Sequence, residues 1–273
     1  MTGPGSMPDD QVPPGVDPAV PTAARIYDYL LGGQDNFAAD RAAARHLAEL
    51  SPEIGQVARA NRAFLGRAVR FLAAEAGIRQ FLDLGAGLPT NGNVHQVAEA
   101  AEPGARVVYV DNDPSVLAHA QALTSGHRTV VIQSDLRDPA AILAHPDTGR
   151  LIDLTQPLAV LFVAVLHFVP DPDVQQAVNA FTRVAAPGSY LVLSHGCSDP
   201  DPGAAAAGAA RYTAGAYSAY PRSRAGILAF YAGFDLIDPG LVPVHQWRPG
   251  PGDPADPGKA WLLGGVGRKR PAQ

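Results

Sequence analysis

Two apolar runs limit how this chain can fold. One, Phe81-Leu-Asp-Leu-Gly-Ala-Gly-Leu-Pro-Thr-Asn-Gly-Asn93, leads into a glycine loop; the other, Val107-Val-Tyr-Val-Asp-Asn-Asp-Pro114, ends in acids. Phe81 to Leu84 reads as a short buried strand. Gly85 and Gly87 then let the backbone turn sharply and approach a ligand at a distance that a Cβ would block. From Asn93 the period changes: Val94, Val97, Ala98 and Ala101 recur at helical spacing until Pro103-Gly104 stops them. A second strand, Arg106 to Val110, delivers Asp111 to a strand end about 20 residues past the glycines.

A carboxylate there can accept two hydrogen bonds from a ribose diol, which points to a nucleotide pocket. Dinucleotides and S-adenosylmethionine are both held this way. The dinucleotide fingerprint wants a third small residue beside the pyrophosphate, and Gly85-Ala-Gly87-Leu-Pro-Thr90 fails at that position. Asp83 would also repel a pyrophosphate, whereas it can pair with the cationic amino group of a methionine moiety. That favours S-adenosylmethionine. Thr129-Val-Val-Ile-Gln133 leads to Ser134-Asp135-Leu136, placing another acid at a strand end where an adenine amino group needs an acceptor. A blander reading has Asp135 capping the next helix. Thr90, Asn112 and Leu136 join the candidate cofactor set.

The stretches Pro21-Thr-Ala-Ala-Arg-Ile-Tyr-Asp-Tyr-Leu-Leu-Gly-Gly33 with Asn36 and Phe37, Asn61-Arg-Ala-Phe-Leu65, Gln80 to Thr90, Asn93-Val-His95 and Val108 to Asp111 resemble an actinobacterial family of S-adenosylmethionine-dependent methyltransferases once catalogued as a domain of unknown function. The resemblance runs from about Asp17 to Lys269. It implies an α/β fold of the class I type: a doubly wound sheet, mostly parallel with a reversed last strand, and an N-terminal helical lid. It also implies Asp83, Gly85 and Gly87 around the methionine part, Asp111 at the ribose and Asp135 near adenine. Pro89 stands where the wider class I pattern has its third glycine.

At 273 residues, 47% hydrophobic and 17% charged, the chain can bury one large core. A net charge of −5 gives no electrostatic footprint for nucleic acid. The single cysteine, Cys197, and an N-terminus without a basic segment and apolar core lead us to expect a cytoplasmic protein. No apolar run approaches the ~20 residues needed to cross a bilayer. Oligomeric state is not written in the pattern.

Residues 1–20, rich in Pro, Gly and Asp, read as a disordered tail. Residues 21–77 read as a helical cap and 78–270 as the core. Within the cap, Thr22 starts a helix over Ala23 to Leu31 that Gly32-Gly33 ends, a second helix runs from Phe37 to Leu50, and a third runs from Ile54 to Ala76. Asn61 interrupts the apolar stripe of the third, so it either bonds a neighbouring backbone group or points into the cleft. Core packing is the default for Tyr27 and Tyr29, while the resemblance favours a lid, with Tyr29 and Gly33 closing over the ligand.

Leu158 to Val163 reads as the fourth strand, which puts His167 at its carboxyl end, where ligands sit in open α/β sheets. His167 is the candidate general base; the alternative is that it orders the loop or packs against the cofactor. Asp173 starts a helix, and Tyr190 to Ser194 makes the fifth strand, followed by His195 with the same two readings. Tyr212, Tyr217 and Tyr220 either line a substrate pocket or anchor a surface loop. A helix from Ser223 to Gly233, strand material over Phe234 to Ile237 and Val242 to Trp247, and Ala260 to Gly264 complete a terminal antiparallel hairpin.

No Asn-Pro-Pro-Tyr motif and no metal-ligand cluster marks the acceptor, so a small-molecule O- or N-methyltransferase is expected. Two rivals fit the same loop: a catalytically silent S-adenosylmethionine-binding regulator, and a nicotinamide-dependent oxidoreductase. The missing third glycine and the terminal hairpin speak against the latter.

Overall fold

The computed structural model describes residues 12–90, 92–120, 127–199, 202–203, 218–254, 256 and 261–271. The helices are α1 (Ala23–Leu30), α2 (Ala38–Leu50), α3 (Ile54–Ala74), α4 (Val94–Ala101), α5 (Pro114–Ala120), α6 (Pro139–Ala144), α7 (Pro146–Leu151), α8 (Asp171–Val184) and α9 (Arg224–Ala229). The strands are β1 (Gln80–Leu84), β2 (Arg106–Asp111), β3 (Thr129–Gln133), β4 (Ala159–Val163), β5 (Tyr190–Gly196), β6 (Phe234–Leu236), β7 (Val242–Pro243) and β8 (Leu262–Lys269).

The sheet order is β3-β2-β1-β4-β5-β8-β6, with β7 paired to β8. β1 to β5 are parallel, and β8 runs antiparallel to β5, β6 and β7. Because side chains alternate faces along a strand, each central strand feeds two cores. Phe81, Val107, Leu161 and Val192 pack with α3 and α4 on one face; Leu82, Val108, Phe162 and Leu193 pack on the other, with Phe181 of α8 and Ile227 of α9.

Several elements differ from the sequence reading. The reversed strand is longer than Ala260 to Gly264: it pairs antiparallel with β7, as the expected hairpin requires, and also inserts between β5 and β6. Its glycines permit this crowding: a Cβ on Gly267 would meet Tyr231 at 2.8 Å, and one on Gly264 would meet Val244 at 2.9 Å. Only Val242–Pro243 of the expected Val242 to Trp247 strand pairs, and Val244–Gln246 turns into a 3-10 helix. That turn buries Trp247 completely and presents the carbonyls of Val244 and Trp247 to the Arg67 guanidinium, each at 2.7 Å.

α3, expected in the cap, instead forms a layer of the sheet core through Phe64, Ala68, Val69 and Leu72. α1 and α2 share a small cluster of their own, Ile26, Ala44 and Leu47. A buried pair fastens them: Arg25 Nε donates to Asp40 Oδ2 at 2.9 Å, and Nη1 reaches Ser115 Oγ at 3.1 Å. Of the expected tail, residues 1–11 lie outside the described residues. Asp17 and Val20 are tied in, since their carbonyls accept from Arg25 Nη2.

Candidate functional site

A cavity of about 360 Å³ opens at the carboxyl ends of β1 to β4 and is roofed by α1 and α3. Its sheet side begins at the glycine turn. Gly85 and Gly87 have φ of +76° and +68°, in the left-handed region. A Cβ on Gly85 would come within 2.2 Å of Val165, whereas the space at the Gly87 Cβ position is open. The N–H groups of Gly85 and Ala86 both donate to Val110 O, binding the turn to the end of β2.

Asp83 is 4% exposed, lines the cavity, and accepts no hydrogen bond among the described residues. Burial pushes its carboxyl up to about 7, while Arg62 pulls it down and Asp111 pushes it further up. Asp111 is pushed up to about 6, first by burial, although Gly87 N–H and Asp113 N–H donate to its two oxygens at 2.8 and 2.9 Å. Each oxygen keeps a lone pair for a further donor. Asn112, Asp135 and Leu136 line the same cavity. Asp135 is bound by Arg137 at 2.6 Å, which holds its carboxyl below the usual range. It does not cap the next helix, because Asp138 does that by accepting from Ala141 N–H at 3.1 Å.

Asn61 bonds side chains rather than the neighbouring backbone. Its Nδ2 donates to Tyr27 Oη at 2.9 Å, and its Oδ1 accepts from Ser194 Oγ at 2.7 Å. Tyr27 in turn donates to Ala58 O, and Ser194 Oγ accepts from Ala164 N–H at 2.9 Å. This chain of bonds links α1 through α3 to the strand ends. It also holds Ala164 at φ +56°, a strained conformation for a residue with a Cβ, which turns the chain after β4 towards Val165 and His167.

His167 lines the cavity, and its buried Nδ1 has no partner. Burial, His195 and Arg222 together hold its pKa well below the ordinary 6.5, so the ring is neutral at pH 7. His195 is fully buried and does not line the cavity. Its Nδ1 lies 2.8 Å from Gly196 O and its other nitrogen 2.7 Å from Arg222 Nη1, which also donates to Leu166 O. It therefore stays neutral, pushed down to about 4 by burial, and braces the loop that carries His167.

Three of the expected residues do not line the cavity. Tyr29 packs against Ile26, Ala44 and Leu47 on the α2 side; Tyr27, two residues away and about 200° round the helix, lines the cavity instead. Gly33 sits under the Asp28 carboxylate, where a Cβ would meet Oδ1 at 1.9 Å. Thr90 is not part of the cavity lining, and its N–H donates to Asn93 Oδ1 at 3.0 Å. Of the tyrosines, Tyr212 and Tyr217 lie outside the described residues, and Tyr220 steadies the His167 loop by donating its N–H to His167 O at 2.7 Å.

The cavity also contains residues that the sequence reading left out of the cofactor set: Tyr27, Arg62 and Trp261. Helical periodicity contains the first, because Ala23, Tyr27 and Leu30 share a face. Nothing in the local pattern marks the other two. Among the described residues, no group of three or more His, Cys, Asp or Glu is placed to hold a metal ion, and no helix is long and apolar enough to cross a membrane.

A reversed strand inserted beside β5, with a ligand-sized cleft at the carboxyl ends of the parallel strands, defines the class I methyltransferase fold. The family model described as S-adenosyl methyltransferase matches residues 9–270, and the chain belongs to that family. The crystal structure of a candidate methyltransferase from Thermobifida fusca YX superposes with a TM-score of 0.90 at 44% identity, covering 95% of this chain and 99% of that one. A DUF574 family protein from Streptomyces avermitilis MA-4680 gives 0.87 at 39% identity, covering 92% and 98%. A candidate S-adenosyl-L-methionine-dependent methyltransferase of Mycobacterium tuberculosis is 31% identical over 129 residues, 44% of this chain and 38% of its own length. The match thus spans well under half of that curated relative.

Proposed function

We propose that the protein transfers the methyl group of S-adenosylmethionine to an oxygen or nitrogen nucleophile of a small molecule. One observation carries this reading: a single cavity is lined by acids at three strand ends, Asp83, Asp111 and Asp135, and by apolar side chains of α1 and α3. The residues fit the cofactor. Asp83 is a buried acceptor for an ammonium, Asp111 has a lone pair left on each oxygen for a ribose, and Gly87 leaves open the space that a Cβ would fill. Asp135 and Leu136 lie where the adenine would rest.

When bound, S-adenosylmethionine supplies a methyl carbon on a cationic sulfur, and the acceptor's lone pair forms the new bond as the carbon–sulfur bond breaks. The protein aligns the partners and keeps water out. Ile26, Leu30, Ile54 and Val57 favour an acceptor without charge. His167, neutral and on the cavity wall, is our candidate to accept the hydrogen bond of the attacking O–H or N–H. A panel of uncharged phenols and ring amines, assayed for S-adenosylhomocysteine production, tests the reading. Binding of the cofactor without turnover of any acceptor would favour the silent regulator.

A further inference from the structure

Arg222 does not line the cavity, yet its guanidinium is committed to the loop that carries His167. Its backbone is fixed first. The Arg222 N–H donates to Gly196 O at 3.1 Å and its carbonyl accepts from Ser198 N–H at 2.9 Å, which anchors it to the end of β5. From there the side chain, 9% exposed, reaches the loop after the neighbouring β4. Nη1 donates to Leu166 O at 3.0 Å and Nη2 to Val169 O at 2.8 Å, the carbonyls on either side of His167 and Phe168. Nε and Nη2 both reach Asp171 Oδ1, at 2.9 and 2.8 Å, in the first turn of α8. Nη1 also meets His195 Nε2 at 2.7 Å, and the Phe230 ring lies 5.7 Å from Cζ.

A short 3-10 turn such as Leu166–Phe168 leaves its last carbonyls without partners of its own, so another group must hold them. A planar fork of five N–H donors can hold two carbonyls, a carboxylate and a ring nitrogen at once, which an ammonium cannot. Arginine only donates, so His195 Nε2 accepts and the ring proton sits on Nδ1 against Gly196 O. The His195 ring then packs edge-on against His167, with centroids 5.5 Å apart. We propose that Arg222 is a positioning residue for the methyl acceptor, fixing the Leu166–Phe168 turn so that His167 and Phe168 form the cavity wall. This rests on the function proposed above only in taking that wall to meet the acceptor. The charge of Arg222 acts on the same ring: burial, then His195, then Arg222 hold the His167 pKa down. Asp171 is the exposed anion behind Arg222, and the other titratable groups of the cavity, Tyr27, Arg62, Asp83, Asp111, Asp135 and Arg137, stand on other elements.

Amide hydrogen exchange, NMR titration of the histidine rings and calorimetry with S-adenosylmethionine, all on the full chain, test it. In the wild type the N–H groups of Phe168 and Val169, which donate to Val165 O and Leu166 O, should be protected; exchange at the open-chain rate would overturn the inference without any variant. Arg222→Lys keeps the charge and loses the fork, so exchange at those two amides rises about tenfold or more while the His167 midpoint stays low. Arg222→Gln loses both, so exchange rises likewise and the His167 midpoint moves up towards 6.5. Both variants bind S-adenosylmethionine within about twofold of the wild type, and turnover of an acceptor found in the panel above falls about tenfold or more with KM for the cofactor unchanged. Unchanged exchange in either folded variant, an unchanged midpoint in folded Arg222→Gln, or a loss of cofactor affinity equal to the loss of turnover overturns it. If no acceptor turns over, the methyl transfer proposed above is contradicted, and exchange and midpoint still decide whether Arg222 places His167.

Discussion

The two sides of the cavity are built by different means. The side at the ends of β1, β2 and β3 comes from contiguous stretches, each a strand followed by an acid, and its carboxylates at Asp83 and Asp111 are kept protonatable near neutrality by burial. The facing side is assembled from α1, α3, the loop after β4 and the start of β8. It is mainly apolar, and its polar atoms are positioned by partners distant in sequence, as Asn61 is by Ser194 and Tyr27. On the proposed function, the cofactor rests on the strand-end side, which is local in sequence, and the acceptor meets the facing side, which tertiary packing builds.

The comparison breaks first at Asp111. Replacing it by Ala removes the ribose acceptor and frees the Gly87 and Asp113 N–H groups, so affinity for S-adenosylmethionine should fall by about 100-fold or more in calorimetry. Retained affinity would break the assignment of that side. Asp83→Asn comes next, with a loss of about 10- to 100-fold at pH 8. The wild-type affinity should itself drop as pH falls through about 7, because protonated Asp83 no longer attracts an ammonium.

Stability should move the other way. Asp83 has a folded pKa raised from 3.8 to about 7, so its contribution is fully present below 3.8 and is lost as pH rises through about 7. Asp83→Asn therefore melts higher than wild type at pH 8, with a smaller difference at pH 5. On the facing side, His167→Ala should lower turnover about a hundredfold while changing cofactor affinity less than about twofold. The acid limb of kcat should lie below 6.5, because His167 is held down, whereas that of kcat/KM for the cofactor follows Asp83 near 7. The smallest effect on binding is that of Tyr27→Phe, which loses the bonds to Ala58 O and from Asn61 Nδ2 and about 2 kcal/mol of stability by thermal melting, with cofactor affinity unchanged.

What could be read in advance follows the same division. The strand, glycine turn and acid of β1 and β2 were legible because hydrophobic period, left-handed glycines and a strand-end carboxylate all lie within one short stretch. The path of β8 was not legible, since its glycines read as weak strand material until the neighbouring Tyr231, Phe64 and Val244 explain them. Tyr29 was preferred through the lid that the resemblance implies, whereas α1 turns Tyr29 towards α2 and Tyr27 towards the cavity. Arg62 was missed because its place on the cavity depends on the packing of α3 over the glycine turn, and no local pattern marks it. Ala164 carries no sequence sign of its left-handed turn, which Ser194 and the packing of β4 impose.

The most direct test is calorimetric titration of the purified protein with S-adenosylmethionine, S-adenosylhomocysteine and NAD in separate runs. The account predicts saturable binding of the first two and no heat with NAD. Binding of NAD alone, or of none of the three, would contradict it.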